Sequence, residues 1–226
     1  MTGKILVVVA TSSEAEVIRK IPDIKQSGDD FLLRNMVISL IVTGVGSVAT
    51  SWGMSKWFYA NSKPSLALNI GIAGSFRREI GIGEIVTVES DCFADAGVDN
   101  NGEFQTLGEA GISDPDRFPF KNGRIIAENR YLTVADTIMN KVKAITVNTA
   151  TGSEAIREKL IKKFNPDIET MEGATFFYIC SGEKIPFLAI RSVSNFVEPR
   201  NKGKWNIPLA LGNLTEKLTE YLLMID

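Results

Sequence analysis

Residues 66–74 read LALNIGIAG, a run of apolar and small residues interrupted only by Asn69. A run of this kind predicts a strand that is buried on both faces, because a strand with one solvent face alternates apolar and polar residues. Runs rich in Val, Ile and Leu recur along the chain. They predict five further strands, at residues 4–10, 37–45, 84–90, 144–149 and 186–194.

Segments with the pattern of helices lie between many of these strands, at residues 12–20, 48–61, 153–164, 171–182 and 207–224. Alternation of strands and helices is typical of α/β proteins. We therefore expect a three-layer αβα fold with a central mixed, mostly parallel twisted sheet. The 226 residues suffice for one domain with a buried core, so a single domain over residues 1–226 is predicted.

Residues 91–130 break the alternation, because they are rich in Gly, Asp, Asn and Pro. A loop of this length inside a compact domain is usually functional or disordered. Four phenylalanines are interleaved in it, and aromatic residues argue against disorder. The segment is therefore predicted to be a structured insertion that contacts substrate or another subunit.

The chain contains no histidine, which excludes Ser-His-Asp and Cys-His catalysis and most zinc enzymes. Proton transfer must then come from Asp, Glu, Lys, Tyr, or an amide that positions protons. The net charge is −2 and no Lys/Arg cluster stands out, so nucleic acid is not an expected partner. Cys92 and Cys180 form no CxxC pair and are expected to be buried thiols.

The longest purely apolar run, ILVVVA at residues 5–10, is far too short to cross a membrane. Together with the two unpaired thiols, it favours a cytoplasmic protein without a membrane partner. Nothing in the composition requires a metal ion or an organic cofactor, and none is expected.

Two carboxylates and one amide stand where predicted strands end, which is where open α/β sheets bind ligands. Glu14 closes TSSE (11–14), which is also a capping box, so it has a purely structural explanation as well. Glu172 precedes two small residues that permit close approach of a ligand, although a helix dipole also favours a carboxylate there. Asn195 can be a turn residue or part of a site.

The stretch GVGSVA at residues 44–49 resembles a dinucleotide-binding turn. It follows the second predicted strand rather than the first, and no acidic residue ends the next strand. A turn whose amides face a sugar or an anion is the better interpretation. Binding of NAD by an oxidoreductase stays as a weaker alternative.

Together these stretches resemble the nucleoside phosphorylase/nucleosidase superfamily along nearly the whole chain. The resemblance rests on ATSSE, TGVGSVAT, NIGIAGSF, GEIVTVESDCFADAGV, IETMEGATFFYIC and IRSVSNFVEPRNKGKW. The last two stretches are specific at this spacing, whereas the glycine turns alone are not. Within the superfamily the chain is most similar to futalosine hydrolases, which are relatives of the methylthioadenosine/adenosylhomocysteine nucleosidases.

The resemblance implies three catalytic residues. Glu172 would hydrogen-bond the ribose hydroxyls, with Met171 packed on the sugar. Glu14 would activate the attacking water. Asn195 would donate a hydrogen bond or a proton to the imidazole ring of the purine.

The resemblance also implies residues that bind the substrate. Thr149 and Ala150 fall where the family frames the purine, and Ala73 and Gly74 fall beside the sugar–base pocket. Trp205 falls where an aromatic residue often covers the 5′ substituent. The family further implies a homo-oligomer, a dimer or higher.

Two departures from the relatives bear on the substrate. Adenine-specific nucleosidases resemble this chain but carry an aspartate where Asn195 stands. An amide donates to a 6-oxo group, so Asn195 favours hypoxanthine as the leaving group, as in futalosine. The hexameric phosphorylases carry a phosphate-binding arginine where Asn69 stands, so water is the expected nucleophile.

The resemblance thus implies hydrolysis of futalosine to hypoxanthine and dehypoxanthine futalosine, a step of menaquinone biosynthesis. The alternatives are a nucleosidase for methylthioadenosine, adenosylhomocysteine or aminofutalosine and, in a different class, a non-catalytic purine-nucleoside binding protein. The small-molecule nucleoside is the expected partner.

Overall fold

The computed structural model describes residues 3–199 and 201–225. Each of the six predicted strands is present, and six shorter strands join them. In chain order the strands are β1 Lys4–Val9, β2 Lys25–Ser27, β3 Asp30–Leu33, β4 Met36–Val42, β5 Leu66–Ser75, β6 Ile85–Asp91, β7 Gly97–Asn100, β8 Glu103–Thr106, β9 Ile125–Ile126, β10 Asn140–Thr146, β11 Ile168–Thr170 and β12 Phe187–Phe196.

All five predicted helices are also present, and a short sixth helix lies between β9 and β10. The helices are α1 Ser12–Arg19, α2 Ser47–Ala60, α3 Arg130–Ala135, α4 Glu154–Phe164, α5 Gly173–Glu183 and α6 Ile207–Ile225. Helix α5 begins two residues later than predicted, so Met171 and Glu172 precede it rather than belonging to it. The shift places these two predicted site residues just outside the helix.

The main sheet combines parallel and antiparallel pairs, in the order β11-β10-β6-β12-β5-β1-β4-β3-β2. Strand β11 also pairs with β5, so five strands close into a ring: β5, β11, β10, β6 and β12. The predicted α/β fold with a mixed sheet is confirmed. The three-layer arrangement and the majority of parallel pairs remain predictions.

The core follows directly from the apolar runs. Strand β1 has five consecutive buried residues, and the first six residues of β5 are buried. Helices contribute large buried side chains such as Phe176, Phe177 and Tyr221. Burial on both faces explains why these strands lack a polar alternation. Cys92 and Cys180 are both free and buried, as predicted.

The segment 91–130 contains three short strands, and its role as an insertion stays a prediction. Strands β7 and β8 form a separate two-stranded sheet within it, and β9 pairs with β6. Phe93 packs against Phe120, and Phe104 packs against Phe164 of helix α4. These aromatic contacts fasten the insertion to itself and to the domain.

Candidate active site

The candidate site is built on two adjacent parallel strands, β5 and β12. Their register pairs Gly71 with Arg191 and Gly74 with Asn195. A strand rises about 3.3 Å per residue, so these two levels lie about 10 Å apart along β5. A β-bulge between Val193 and Asn195 shifts the register there, and bulges commonly redirect a side chain beside an active site.

Glu14 occupies the first level. It forms the predicted capping box: Thr11 Oγ1 accepts from the Glu14 amide, and the Thr11 amide donates to Glu14 Oε2 at 3.0 Å. The carboxylate does more than cap, because Oε1 turns to the sheet and accepts from the Ile72 amide at 3.1 Å. The side chain is 93% buried, since its exposed fraction is 7%.

Gly71 explains how Glu14 fits against the sheet. A Cβ atom at residue 71 would lie 2.4 Å from Glu14 Oε1, which is closer than Cβ atoms approach other atoms. Oxygen Oε2 accepts from Ala10 N, Thr11 N and Thr11 Oγ1, whereas Oε1 accepts from Ile72 N. A carboxylate offers about four lone-pair directions, so Oε1 retains capacity to accept from a water molecule.

Glu172 lies at the start of helix α5. It is the N-cap residue of α5, yet its side chain makes no capping bond. Instead Oε1 accepts from the amide of Gly46 at 2.8 Å, across 126 positions of sequence. Helix capping therefore does not explain this glutamate. The Gly-rich turn at residues 44–49 does present an amide to an anion, as predicted, and the anion is the protein's own carboxylate.

The charge of Glu14 acts on Glu172. Burial raises the pKa of Glu172, the Gly46 hydrogen bond and the Arg191 charge lower it, and the Glu14 charge raises it. A like charge opposes ionisation only at short range in a protein interior. The two carboxylates thus share one electrostatic environment with Arg191.

Arg191 supplies the compensating charge, and the sequence analysis did not identify it. It is almost fully buried, with 2% exposed, and its Nη1 donates to the Asn69 carbonyl at 2.6 Å. Its Nη2 donates to the side-chain oxygen of Asn69. Burial lowers the pKa of Arg191, while the charges of Glu172 and Glu14 raise it. The signal in the sequence is an arginine that directly follows four apolar residues of β12.

Asn69 was considered above as a residue at the phosphate position. Its amide Nδ2 donates to the Val8 carbonyl at 2.9 Å, and its oxygen accepts from Arg191. The side chain is 98% buried, with an exposed fraction of 2%. Asn69 therefore holds Arg191 in place inside the sheet.

Asn195 occupies the second level. It lies within β12 at the bulge, so the turn interpretation is wrong. The Ser194 hydroxyl donates to Asn195 Oδ1 at 2.7 Å, and Asn195 Nδ2 donates to the Phe196 carbonyl at 3.1 Å. These two bonds fix the amide with its oxygen towards Ser194. The second N–H of Nδ2 can still donate to a ligand.

A cavity of about 370 Å³ opens beside Asn195. Its lining brings together three residues predicted from the sequence, namely Asn195, Ala150 and Trp205. Arg78 and Phe196 form part of the wall, with the Arg78 guanidinium 4.2 Å from the centre of the Phe196 ring. Pockets of this size and mixed chemistry suit small organic ligands.

The remaining predicted residues lie around these two levels. Gly74 is beside Asn195, because a Cβ there would approach Asn195 Nδ2 to 3.3 Å. The Ala73 carbonyl oxygen lies 3.3 Å from Ser194 Oγ, beside Asn195. Thr149 is exposed in the loop next to Ala150 and does not line the cavity. Met171 is half-buried and directly precedes Glu172.

Two further acids, missed by the sequence analysis, hold the loop that carries Thr149 and Ala150. Glu169 is buried and accepts from the Thr151 amide at 2.9 Å and from the Thr151 hydroxyl. Burial raises the pKa of Glu169, and both Thr151 bonds lower it. Asp95 accepts from the Asn148 amide at 2.5 Å, so the 91–130 insertion supports the rim of the cavity.

Two findings within the described residues concern metal binding and membrane insertion. No group of three or more Cys, Asp or Glu side chains within residues 3–199 and 201–225 is arranged to hold a metal ion. In the same part of the chain, no helix combines the length and the apolar character that crossing a bilayer requires.

Comparison with known proteins places the chain in a family. The model of the phosphorylase superfamily matches residues 4–222. A futalosine hydrolase of Acidothermus cellulolyticus is 29% identical over 224 residues, covering 95% of this chain and 88% of that protein. A 5′-methylthioadenosine/S-adenosylhomocysteine nucleosidase of Buchnera aphidicola is also 29% identical, over 91% of this chain and 86% of that protein.

Solved structures show the same fold. Futalosine hydrolase of Helicobacter pylori superimposes with a TM-score of 0.79 at 15% identity, covering 99% of both chains. The methylthioadenosine/adenosylhomocysteine nucleosidase of S. pneumoniae, solved with a transition-state inhibitor, gives 0.80 at 16% identity, covering 99% of this chain and 100% of that one. The chain belongs to the phosphorylase superfamily. Within it, the chain is an enzyme of the nucleosidase type, an N-glycosyl hydrolase.

Proposed function

We propose that the protein hydrolyses the N-glycosidic bond of futalosine and releases hypoxanthine and dehypoxanthine futalosine, as a step of menaquinone biosynthesis. One observation carries the proposal above all. Glu172 is freed from its own helix and accepts from Gly46, and the charge of the buried Arg191 lowers its pKa while the charge of Glu14 raises it. This arrangement supports a reaction at a sugar carbon that is flanked by carboxylates.

The chemistry requires such an arrangement. Breaking the bond leaves an oxocarbenium-like sugar and a purine anion, as in glycoside hydrolysis, where carboxylates stabilise the same kind of cation. Glu172 accepts hydrogen bonds from the ribose hydroxyls and fixes the ring for attack. Glu14 Oε1 accepts the proton of the attacking water, a role that contributes roughly 10²–10⁴-fold. The residues that do this need no metal and no organic cofactor.

Asn195 is the residue we propose to recognise the base. Its oxygen accepts from Ser194 and one N–H donates to Phe196, so the second N–H is a donor that the amide can offer to a ligand. A 6-oxopurine offers acceptors at O6 and N7, whereas the amino group of adenine at position 6 would set donor against donor. The ordering by Ser194 therefore supports hypoxanthine as the leaving group.

We assign the remaining residues to binding. Met171 packs on the sugar, and Ala73 with Gly74 leaves space beside the sugar and the base. Thr149 and Ala150 frame the purine from a loop held by Glu169. Trp205 covers the 5′ substituent from the wall of the cavity.

The second candidate is a nucleosidase for adenine nucleosides, such as methylthioadenosine, adenosylhomocysteine or aminofutalosine. It is favoured by the Buchnera relative, which is as similar to this chain as the Acidothermus futalosine hydrolase. A non-catalytic nucleoside-binding protein is disfavoured, because it would not need a second buried carboxylate at Glu14.

We also propose a homo-oligomer, and the cytoplasmic location stays a prediction. Helix α2 packs Met54 inward, yet it exposes Val48, Trp52 and Tyr59 with exposed fractions of 82%, 72% and 96%. A helix that is apolar on both sides is usually covered on both sides. A second copy of the chain is the occupant we propose. Light scattering after size exclusion should give at least a dimer, and Trp52→Glu should give monomers; a monomeric wild type would contradict this.

The substrate is tested by a panel of four nucleosides: futalosine, aminofutalosine, methylthioadenosine and inosine. Released base is separated by chromatography, and kcat/KM is measured for each. We expect futalosine to be cleaved best, by roughly 10- to 100-fold over aminofutalosine, because a buried donor left unpaired costs about 1–3 kcal/mol. Preference for methylthioadenosine would move the second candidate ahead, and binding without release of base would favour the binding protein.

A further inference from the structure

The start of helix α5 is capped in an unusual way. The residue at the N-cap position normally bonds the first amides of its own helix. Here that residue is Glu172, and its side chain instead reaches Gly46. The first amides of α5 still have partners: Gly173 N donates to Thr170 Oγ1 at 3.3 Å, and Ala174 N donates to Thr146 Oγ1 at 2.7 Å.

The two threonines stand side by side on neighbouring strands. Thr146 ends β10 and Thr170 ends β11, and the two are register partners in the parallel pair. Both side chains are buried, and their hydroxyl oxygens lie 3.4 Å apart. The cap of α5 is therefore provided by the sheet and not by the helix.

Asp91 determines which way these hydroxyls point. Its Oδ1 accepts from Thr146 Oγ1 at 3.1 Å and from the Cys92 amide at 2.8 Å. Thr146 has one hydroxyl proton, and donating it to Asp91 leaves only lone pairs towards Ala174 N and Thr170 Oγ1. The Thr170 proton can then point to Thr146, which leaves the Thr170 lone pairs for Gly173 N. The Asp91 carboxylate thus orders both threonine hydroxyls that cap helix α5.

The surroundings of Asp91 agree with this arrangement. Burial raises the pKa of Asp91 to about 7, and the Arg124 charge and the Thr146 bond lower it. The second oxygen, Oδ2, is buried without a hydrogen-bond partner among the described residues. A Cβ at residue 173 would lie 2.2 Å from that oxygen, so the helix start sits directly on the carboxylate. The glycine that follows Glu172 permits this contact.

We propose that Thr146 is a positioning residue for Glu172: its hydroxyl, ordered by Asp91, caps helix α5 in place of residue 172 and leaves the Glu172 carboxylate to the substrate. Without that hydroxyl, the Ala174 amide loses its partner, and Glu172, as the N-cap residue, can turn its side chain to cap its own helix. The carboxylate would then leave Gly46. This inference rests on the proposed role of Glu172 in binding ribose.

The test compares matched variants. Thr146→Val removes the hydroxyl at nearly constant volume, and Thr146→Ser keeps it. Thr87→Val is the control, since Thr87 is fully buried on β6 and its hydroxyl has no hydrogen-bond partner among the described residues. For each variant, kcat and KM on futalosine are measured together with the thermal midpoint.

We expect Thr146→Val to lower kcat/KM by roughly 10- to 100-fold, since a misplacement of about 1 Å can cost 10²-fold. Thr146→Ser and Thr87→Val should stay within about threefold of wild type by the same reasoning. Should Thr146→Val fail to fold, Thr170→Val and Thr170→Ser test the same cap through its other hydroxyl.

Three results would overturn the inference. They are a folded Thr146→Val variant with wild-type kcat/KM, a serine variant as impaired as the valine variant, and a Thr87→Val variant that loses as much. A wild-type protein that releases no base from any nucleoside of the panel would instead refute the proposed function, and the inference with it. Activity of the wild type therefore separates the two failures.

Discussion

Replacing Glu14 by Gln separates the structural role of this residue from its chemical role. The amide oxygen of Gln can take the position of Oε2, where it accepts from Ala10 N, Thr11 N and Thr11 Oγ1. The capping box then survives, because Gln also serves at that position. The amide NH2 must take the position of Oε1, where it faces the Ile72 N–H and can no longer accept a proton from water.

The size of both effects follows from this geometry. One donor set against another in a buried site costs about 1–3 kcal/mol. Typical domains unfold at about 5–15 kcal/mol, so the variant should remain folded. Each kcal/mol lowers the thermal midpoint by about 2–4 °C in a chain of this size. Loss of the general base should lower kcat by roughly 10²-fold or more.

The assay is release of hypoxanthine from futalosine, followed by chromatography, with the thermal midpoint measured on the same samples. Glu16→Gln is the matched control. Glu16 lies on the same helix, is exposed, and forms a surface ion pair with Arg19 at 2.7 Å. Such pairs contribute about 0–1 kcal/mol, so this variant should keep its activity and nearly all its stability. A folded Glu14→Gln protein with activity within a few-fold of wild type would refute the reasoning and leave Glu14 as a cap alone.

Three further predictions follow from the same contacts. Gly71→Ala should lower kcat/KM on futalosine strongly, because its Cβ would lie 2.4 Å from Glu14 Oε1 and displace the carboxylate; unchanged activity would show that Oε1 is not needed. Asn195→Asp should lower kcat/KM on futalosine and narrow or reverse its ratio to that on aminofutalosine; an unchanged ratio would show that Asn195 does not recognise the base. Burial raises the pKa of Glu172. As pH falls, kcat/KM should therefore decline with a midpoint above the ordinary glutamate pKa of about 4.3. Glu172→Gln should lose most activity and should no longer show this decline. Because the native state then holds that proton more tightly than the unfolded chain, the contribution of Glu172 to stability is present at low pH and is lost as pH rises through the raised pKa. Unfolding curves of the wild type and of Glu172→Gln, measured across pH, test whether the contribution of Glu172 to the free energy of unfolding falls as pH rises.

The strands and helices that bury apolar runs were predictable, because their periodicity is written in consecutive residues. The short strands were not: β2 and β3 form a hairpin of only three and four residues, and β11 has only three residues. Their pairing depends on neighbours far away in sequence. The start of α5 was predicted two residues early for the same reason, since Thr146 provides part of its cap from another strand.

The candidate site residues likewise fall into two groups, those with a local sequence pattern and those without one. Glu14, Glu172 and Asn195 were found because each stands next to a recognisable local pattern. Arg191 and Glu169 were missed because one charged residue in a strand does not by itself indicate a site. Arg191 gains its meaning from the approach of Glu14 and Glu172, and Glu169 from the loop at Thr151. Roles that arise only from long-range contacts are not visible in a local pattern.

The direct test of the account is the product formed from futalosine with and without added phosphate. The account predicts hypoxanthine and a free, unphosphorylated sugar product at the same rate in both samples, because Asn69 is turned into the sheet towards Val8 and Arg191 and cannot neutralise a phosphate. A rate that rises several-fold with phosphate, together with a sugar 1-phosphate product, would contradict it.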